Sequence, residues 1–250
     1  MRLKTSADYE NKNTYQFTIT VTDNGVGSLS ASKVITLNIN DLNDPPAISS
    51  AATGSIAENA AISTIAYAAA ASDPDTGDTI TFSLAGTDAS FFDIDSDDGE
   101  IRLKTAANFE VKNSYSVDIL ATDSGSSPAS ASKTVTINIT DQNDSPVAID
   151  DSAITTLNTA KNNIVVLDDD TDEDSDTLNI QSIAYSGAGT VSHNGTTINY
   201  SPPTGVPTLT ETITYVVSDG NGGTDNGSLT MKVITPLIQG PSNPAGSDSS

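Results

Sequence analysis

The chain has no cysteine and no tryptophan, one histidine, and ten lysines and arginines among 250 residues. Aromatic residues make up 5% of it and hydrophobic residues 36%. Each shortage removes a class of function. Without cysteine there is no disulfide framework, and cysteine-ligated zinc and iron–sulfur centres lack their ligands. Nucleic acid is excluded as a partner, because binding it takes clustered Lys and Arg to displace counterions. The single histidine, His193, has no second imidazole to build a relay and lies in Ser192-His193-Asn194-Gly195, which reads as a hairpin turn. No apolar run approaches the ~20 residues of a membrane span, so no transmembrane segment is expected, and Met1-Arg-Leu-Lys-Thr carries no apolar signal core.

Acid is what the chain has in excess. Thirty-three Asp and Glu give a formal charge of −23. The excess is uneven: residues 1–45 carry a net −1, while residues 46–145 and 146–250 each carry −11. Seven acids fall within nine residues, Asp168, Asp169, Asp170, Asp172, Glu173, Asp174 and Asp176. Charge this dense needs either open solvent or a counter-cation. Density alone fits both a solvated, salt-adapted surface and a cation site.

A repeat organises the first half of the chain. Arg2-Leu3-Lys4-Thr5 recurs as Arg102-Leu103-Lys104-Thr105, one hundred residues on. At the same offset Glu10 matches Glu110, Tyr15 matches Tyr115, and Asp23 matches Asp123. Ser30-Ala31-Ser32-Lys33 matches Ser130-Ala131-Ser132-Lys133. Asp41, Asn43, Asp44 and Pro46 match Asp141, Asn143, Asp144 and Pro146 without any gap. Repeats of this kind mark tandem modules. The first copy holds only the second half of the unit, so the sequence reads as a piece of something longer.

Within the repeats the pattern is that of short strands. Tyr15, Phe17, Ile19 and Val21 alternate with polar residues, as do Ile35, Leu37 and Ile39. Tyr115 to Ala121, Val135 to Ile139, Ile213 to Val217 and Leu229 to Val233 do the same. Period-two alternation punctuated by Asn-Gly, Asp-Gly and Pro predicts an all-β sandwich. Ala66 to Ala71 tempts towards helix but runs into Asp73-Pro74, and is read as strand or loop. The Pro-, Gly- and Ser-rich stretch from residue 236 to 250 reads as a linker or disordered tail.

The strongest chemical signal is Asp41-Leu42-Asn43-Asp44-Pro45-Pro46 and its twin Asp141-Gln142-Asn143-Asp144-Ser145-Pro146. Each follows the last strand of one repeat and precedes the next. Two Asp and one Asn in four residues supply hard oxygen donors, and calcium takes six to eight of these, backbone carbonyls included. A polar turn is the plain alternative; recurrence at equivalent junctions favours metal. Asp93-Ile94-Asp95-Ser96-Asp97 resembles an EF-hand opening, but its sixth position is Asp98 and its twelfth Lys104, so a tight turn at Asp98-Gly99 is expected instead. The run from Asp170 fails the same test.

The Asp-Xaa-Asn-Asp-Xaa-Pro linkers at ~100-residue spacing resemble those of cadherin repeats. Other landmarks follow in order over residues 2–146: Glu58-Asn59, Ala71-Ser72-Asp73-Pro74-Asp75, Phe92-Asp93-Ile94-Asp95, Gly99-Glu100-Ile101, Asn108-Phe109-Glu110 and Ala121-Thr122-Asp123. The resemblance implies Greek-key sandwiches with calcium at the junctions. Its first junction would use Asp8 and Glu10, the Asn43 and Asp44 side chains, the Leu42 and Pro45 carbonyls, and Asp73, Asp75 and Asp123. That junction lacks the early Glu of the missing half-repeat. The second would use Glu58, Glu110, the Gln142 carbonyl, Asn143 and Asp144, with Asn108 replacing the family's Asp. Residues 147–235 resemble instead the cadherin-like tandem repeats of large bacterial surface proteins. There Asp219 stands for Asp123, and the paired carboxylates are either Asp170/Asp172 or Asp172/Asp174. Leu157-Asn158 occupies the early Glu position and no acidic linker closes the block, so no junction is expected beyond residue 235.

The implied fold class is all-β, tandem Greek-key immunoglobulin-like or cadherin-type β-sandwiches, the N-terminal one truncated. The expected modules are 1–44 (the second half of a repeat), 45–144 (a complete repeat), 145–235 (a cadherin-like repeat) and the tail. The implied function is that of calcium-rigidified extender modules of a secreted or cell-surface bacterial adhesin, extracellular, with Ca2+ as cofactor and no enzymatic activity. The partners left open are another adhesin copy or a surface glycan. The alternative is a carbohydrate-binding or spacer module of a secreted polysaccharide-degrading enzyme. Asp88, Asp118, Glu211 and Asp248 are expected to be ordinary surface charge.

Overall fold

A computed structural model describes Leu3 and residues 5–236; Asp248 and all but the first residue of the expected tail lie outside it. The described chain falls into two compact units, one through Asp141 and one from Gln142.

The first unit opens with a hairpin of β1 (Thr14–Thr22) and β2 (Ser30–Asn38), paired from Thr14 opposite Asn38 to Thr22 opposite Ser30. A sandwich follows. One sheet is ordered β4 (Thr53–Ala57), β11 (Ser130–Thr140), β10 (Ser114–Asp123), β7 (Ile80–Ala85). The other is β5 (Tyr67–Ala68), β9 (Glu100–Leu103), β8 (Phe92–Ile94), and β3 (Ala47–Ile48) pairs with β6 (Ala71–Ser72). The first strand lies parallel to the last, β4 on β11; the other pairings are antiparallel. Alternation drives this packing, since successive side chains of a strand take opposite faces. Tyr115, Val117, Ile119 and Ala121, with Val135, Ile137 and Ile139, all point inward onto Phe82, Phe92, Ile101 and Leu103. Tyr115 anchors one end, with Phe91 and Phe92 edge-on at ring-centroid distances of 5.2 and 5.3 Å.

The second unit repeats the plan. Its sheets are β12 (Asp151–Thr156), β18 (Thr224–Ile234), β17 (Leu209–Ser218), β14 (Asn179–Ala184), and β13 (Lys161–Val165), β16 (Thr197–Ser201), β15 (Thr190–His193). β12 runs parallel to β18. Ile213, Tyr215, Val217, Leu229, Met231 and Val233 are fully enclosed, with Ile198 and Tyr200 against them.

The expected turns are where the sequence places them. Asp95 Oδ1 accepts the amides of Asp97 and Asp98, and Gly99 follows at φ +69°, between β8 and β9. Asp95 is thus a turn former. His193 closes β15, and Asn194 Oδ1 accepts the Thr196 and Thr197 amides to shape the turn after it.

Two of the acids expected on the surface are buried. Glu211 takes an inward position on β17 and is 8% exposed. It accepts the hydroxyls of Tyr185 and Tyr200 and the amide of Ala188. Asp88 is 7% exposed and accepts Lys112 Nζ at 2.6 Å and the Ser116 amide at 2.8 Å. Burying a charge is tolerated only with such partners.

Candidate metal centres

After β2 the linker from Asp41 to Pro46 has no regular structure, and Pro46 is buried. Two hydrogen bonds fix it. The Asp44 amide donates to Asp75 Oδ2 at 2.7 Å, and Asn43 Nδ2 donates to Asp123 Oδ2 at 3.1 Å. Asp75 is itself held by its amide, which donates to Asp73 Oδ1 at 2.9 Å. These bonds gather carboxylates from sequence-distant elements. Oxygens of Glu10, Asp44 and Asp75 lie within 4.8 Å of one another, as do those of Asp73, Asp75 and Asp78. Asp8 lines, with Glu10, Leu42 and Asp44, a cleft of about 260 Å³, while its Oδ1 accepts the Asn11 amide.

The electrostatics separate two kinds of acid. Burial pushes the Asp123 carboxyl up, but hydrogen bonds from Asn43, Gly125 and Ala129 outweigh it and hold Asp123 below the usual carboxylate range. Glu10 goes the other way. A backbone hydrogen bond lowers it, yet partial desolvation and the charges of Asp41, Asp75 and Asp44 leave it raised. Its neighbours are uncompensated acids, and Asp73 Oδ2 and Asp75 Oδ1 are buried without accepting any hydrogen bond. Such oxygens are costly unless a donor or cation meets them. A hard divalent ion fits the all-oxygen donor set.

The second unit has the same arrangement. The Asp144 amide donates to Asp174 Oδ2 at 2.7 Å, and Asn143 Nδ2 to Asp219 Oδ2 at 2.8 Å. Asp219 Oδ1 also receives the amides of Asn221, Gly222 and Gly223. Led by the Asn143 bond, and against the effect of burial, these hold Asp219 below its ordinary value. Asp172, Asp176 and Asp219 converge within 4.8 Å, and Asp172 Oδ2 is buried without a hydrogen bond. Asp172/Asp174 therefore stands as Asp73/Asp75 does. Asp170 does not join this group; its Oδ1 accepts the Ile149 amide, and burial with nearby Asp151, Asp169 and Asp225 raises its pKa.

At the far end of the first unit Glu58, Glu110 and Asp141 form a further trio within 4.8 Å. Glu58 is 2% exposed and accepts the Phe109 amide at 2.7 Å. Asn108 Oδ1 accepts the Val111 amide at 2.8 Å, as Asp8 does that of Asn11, so the Asp-to-Asn exchange keeps the local turn. Gln142 is exposed in the linker. Asp78, Asp141 and Asp176 complete these trios without having been singled out as ligands. Asp141 sits in the linker motif itself, and Asp78 and Asp176 follow five and four residues after the first Asp of each pair.

The cadherin domain family model matches residues 52–140, and that of the bacterial Ig domain matches residues 143–232. Protocadherin-19 of Danio rerio is 28% identical over 139 residues, 52% of this chain and 13% of that protein. Protocadherin Fat 4 of Mus musculus is 35% identical over 106 residues, 42% of this chain and 2% of that protein. The chain thus spans a small fraction of the length of these relatives. Among solved structures, EC22-24 of mouse cadherin-23 superposes with a TM-score of 0.64 at 23% identity, covering 93% of this chain and 77% of that one. EC3-6 of protocadherin gammaB7 gives 0.61 at 24%, covering 91% and 60%. At that identity the structural likeness is one of fold. The chain is built of cadherin-like, immunoglobulin-type β-sandwich repeats.

Proposed function

We propose that the chain is a calcium-binding extender segment of a secreted or cell-surface bacterial adhesin, non-enzymatic, with modules at 1–44, 45–144 and 145–235. One observation carries the reading. A linker Asp amide bound to one carboxylate, and a linker Asn bound to a buried Asp, recur around buried carboxylate oxygens that accept no hydrogen bond. Calcium would supply the missing positive charge there. Asp8, Glu10, Asn43, Asp44, Asp73, Asp75 and Asp123 would form one ligand set, with the Leu42 carbonyl. Glu58, Glu110 and Asp141 would form a second, and Asn143, Asp144, Asp172, Asp174 and Asp219 a third. Such ions tie each linker to its neighbours and remove its freedom to hinge. Modules of this kind bind with Kd ~10⁻⁴–10⁻³ M, so extracellular calcium would fill them. Calcium titration followed by thermal melting and small-angle scattering tests the reading. A higher melting temperature and a changed maximum dimension are expected; no change in either overturns it.

A second reading, attachment to a glycan as part of a polysaccharide-degrading enzyme, has one observation behind it. Asn162, Asn163, Ser192, Asn199 and Ser201 line an uncharged cleft of about 550 Å³ on β13, β15 and β16. Amides and hydroxyls suit neutral sugars, yet the aromatic rings that would stack on them are largely in the cores. Retention on insoluble polysaccharide with and without chelator separates the two readings.

A further inference from the structure

Acids hold the backbone where β12 begins. Asp225 Oδ2 accepts the Ala148 amide at 2.9 Å, Asp170 Oδ1 that of Ile149 at 2.8 Å, and Asp150 Oδ1 that of Ser228 at 2.9 Å. Into the same place β17 brings Tyr215, which is 1% exposed. Gly227 fixes its ring: a Cβ there would stand 2.4 Å from Tyr215 Cζ, so the phenol lies against bare backbone of β18. The Tyr215 hydroxyl is 2.9 Å from Asp151 Oδ2, 3.1 Å from the Val166 carbonyl and 3.2 Å from that of Ile149. A phenol has one hydrogen to give, so these acceptors outnumber it. Among the described residues the Tyr215 oxygen itself accepts no hydrogen bond, and Asp170 Oδ2 is likewise buried without one. No base balances the surplus. Lys161 and Lys232 are the bases of the second unit, and neither forms a salt bridge among the described residues. Burial, and then the charges of Asp169, Asp150 and Asp168, raise Asp151 in spite of its bond from Tyr215. Enclosed lone pairs turned on one another are costly unless something positive lies between them.

We infer that the second unit holds a further cation site inside its sandwich, apart from the linker, formed by the Asp151 and Asp170 carboxylates, the Tyr215 hydroxyl oxygen and the Ile149 and Val166 carbonyls. Its ligand is a hard divalent ion of the size of calcium. The donors are all oxygen, and the two carboxylates match the two charges of the ion. Calcium–oxygen distances of ~2.3–2.6 Å place neighbouring ligands roughly 3 Å apart, which is the spacing already found around the Tyr215 oxygen. Sodium also suits carbonyls, but surrounding acids of one sign favour the higher charge. The work of this ion differs from that of ions at the linkers. Asp151 lies on β12 and Tyr215 on β17 of one sheet, while Val166 directly follows β13 of the other. An ion held by all three pins the two sheets of the unit to each other and leaves the linker as it was.

Calcium titration of the full chain, read by NMR at the backbone carbonyl carbons, tests this independently of the linkers. Expected are saturable shifts of the Ile149 and Val166 carbonyl carbons, in the natural chain and in Asp174→Asn alike. Asp151→Asn keeps an oxygen for the Tyr215 hydroxyl and removes one charge. It should weaken calcium at these two carbonyls by about tenfold or more, with the response of Asn143 and Asp144 unchanged. Tyr215→Phe should weaken it as well, while the β17 and β18 amide signals report that the sheet still forms. Ile149 and Val166 carbons that stay still while the linker residues respond overturn the inference and leave the linker reading standing. A response at Ile149 and Val166 with silent linkers supports the inference and removes that reading. Shifts that follow acidification and not calcium overturn it, because Asp151 would then hold a proton among the acceptors. So do equal shifts in sodium chloride at matched ionic strength, which would mark a monovalent ion.

Discussion

Gly125 and Glu211 show how single residues serve site and core differently. A Cβ on Gly125 would stand 1.5 Å from Asn43 Oδ1 and 2.5 Å from its carboxamide carbon, so the linker amide lies flat against bare backbone. What would have to move is the end of a side chain. Gly125→Ala should therefore leave the calcium-free melting temperature nearly unchanged and weaken the calcium-dependent rise at that linker. A drop of the same size in both conditions would refute this. Glu211 works in the core. Burial pushes its carboxyl up, but Tyr185, Tyr200 and backbone amides hold it below the ordinary value. Tyr185, whose ring hydroxyl is desolvated beside that carboxylate, is pushed up to about 12. Because the folded pKa of Glu211 is depressed, its contribution is complete above the unfolded value of roughly 4.3 and is lost as pH falls through the folded one. Glu211→Ala should cost about 2–4 kcal/mol in urea unfolding at pH 7, leaving buried hydroxyls unpaired. Its deficit relative to the natural chain should shrink below pH 4. The comparison must be between the two proteins, because Asp151 and Asp170, both raised mainly by burial, favour the folded state as they protonate.

Strands were the legible part of this fold, and the two hairpins show why. Period two is written into Tyr15 to Val21 and Tyr115 to Ala121, and both runs are strands, but burial alternates along all of β10 and only as far as Phe17 in β1. Phase also marks Glu211, which shares the inward set with Ile213, Tyr215 and Val217, so its burial could have been read from the strand. Asp88 could not: it precedes a short 3-10 turn, and its partner Lys112 lies 24 residues on. The pairing of acids in the second unit was equally hidden. Asp170, Asp172 and Asp174 present the same local spacing, and the long-range bond from the Asp144 amide to Asp174 could not be read from it. What alternation cannot tell is whether a face is covered. Ile19 and Ile119 hold the same place in the repeat and have opposite fates in space. Ile119→Ala should cost about 2–5 kcal/mol through transfer and cavity losses. Ile19→Ala should stay within about 0.5 kcal/mol, as exposed substitutions do. Equal costs in denaturant titration would mean that the first hairpin is already covered in solution.

A charge of −23 acts on the whole molecule in two separable ways. Diffuse repulsion among exposed acids is screened by any salt over about 10 Å at 0.1 M. Carboxylates held at fixed positions, with buried oxygens lacking donors, respond to the size and valence of one ion. Calcium accepts many oxygens in flexible geometry, whereas magnesium demands near-ideal octahedral coordination and sheds water reluctantly. Sodium chloride, magnesium and calcium at matched ionic strength should therefore diverge. The first should lift melting modestly and equally in the natural chain and in an Asp75→Asn, Asp174→Asn double variant. Calcium at a hundred times Kd adds roughly 2.7 kcal/mol per site, or about 10 °C for a unit of this size. In the double variant that increment should be lost from the two linker sets that Asp75 and Asp174 serve, leaving what Glu58, Glu110 and Asp141 hold, and it should be small with magnesium. Were sodium chloride to reproduce the calcium shift in full, the acids would be a solvated surface, and the linkers would owe their order to the hydrogen bonds of Asn43, Asp44, Asn143 and Asp144 alone.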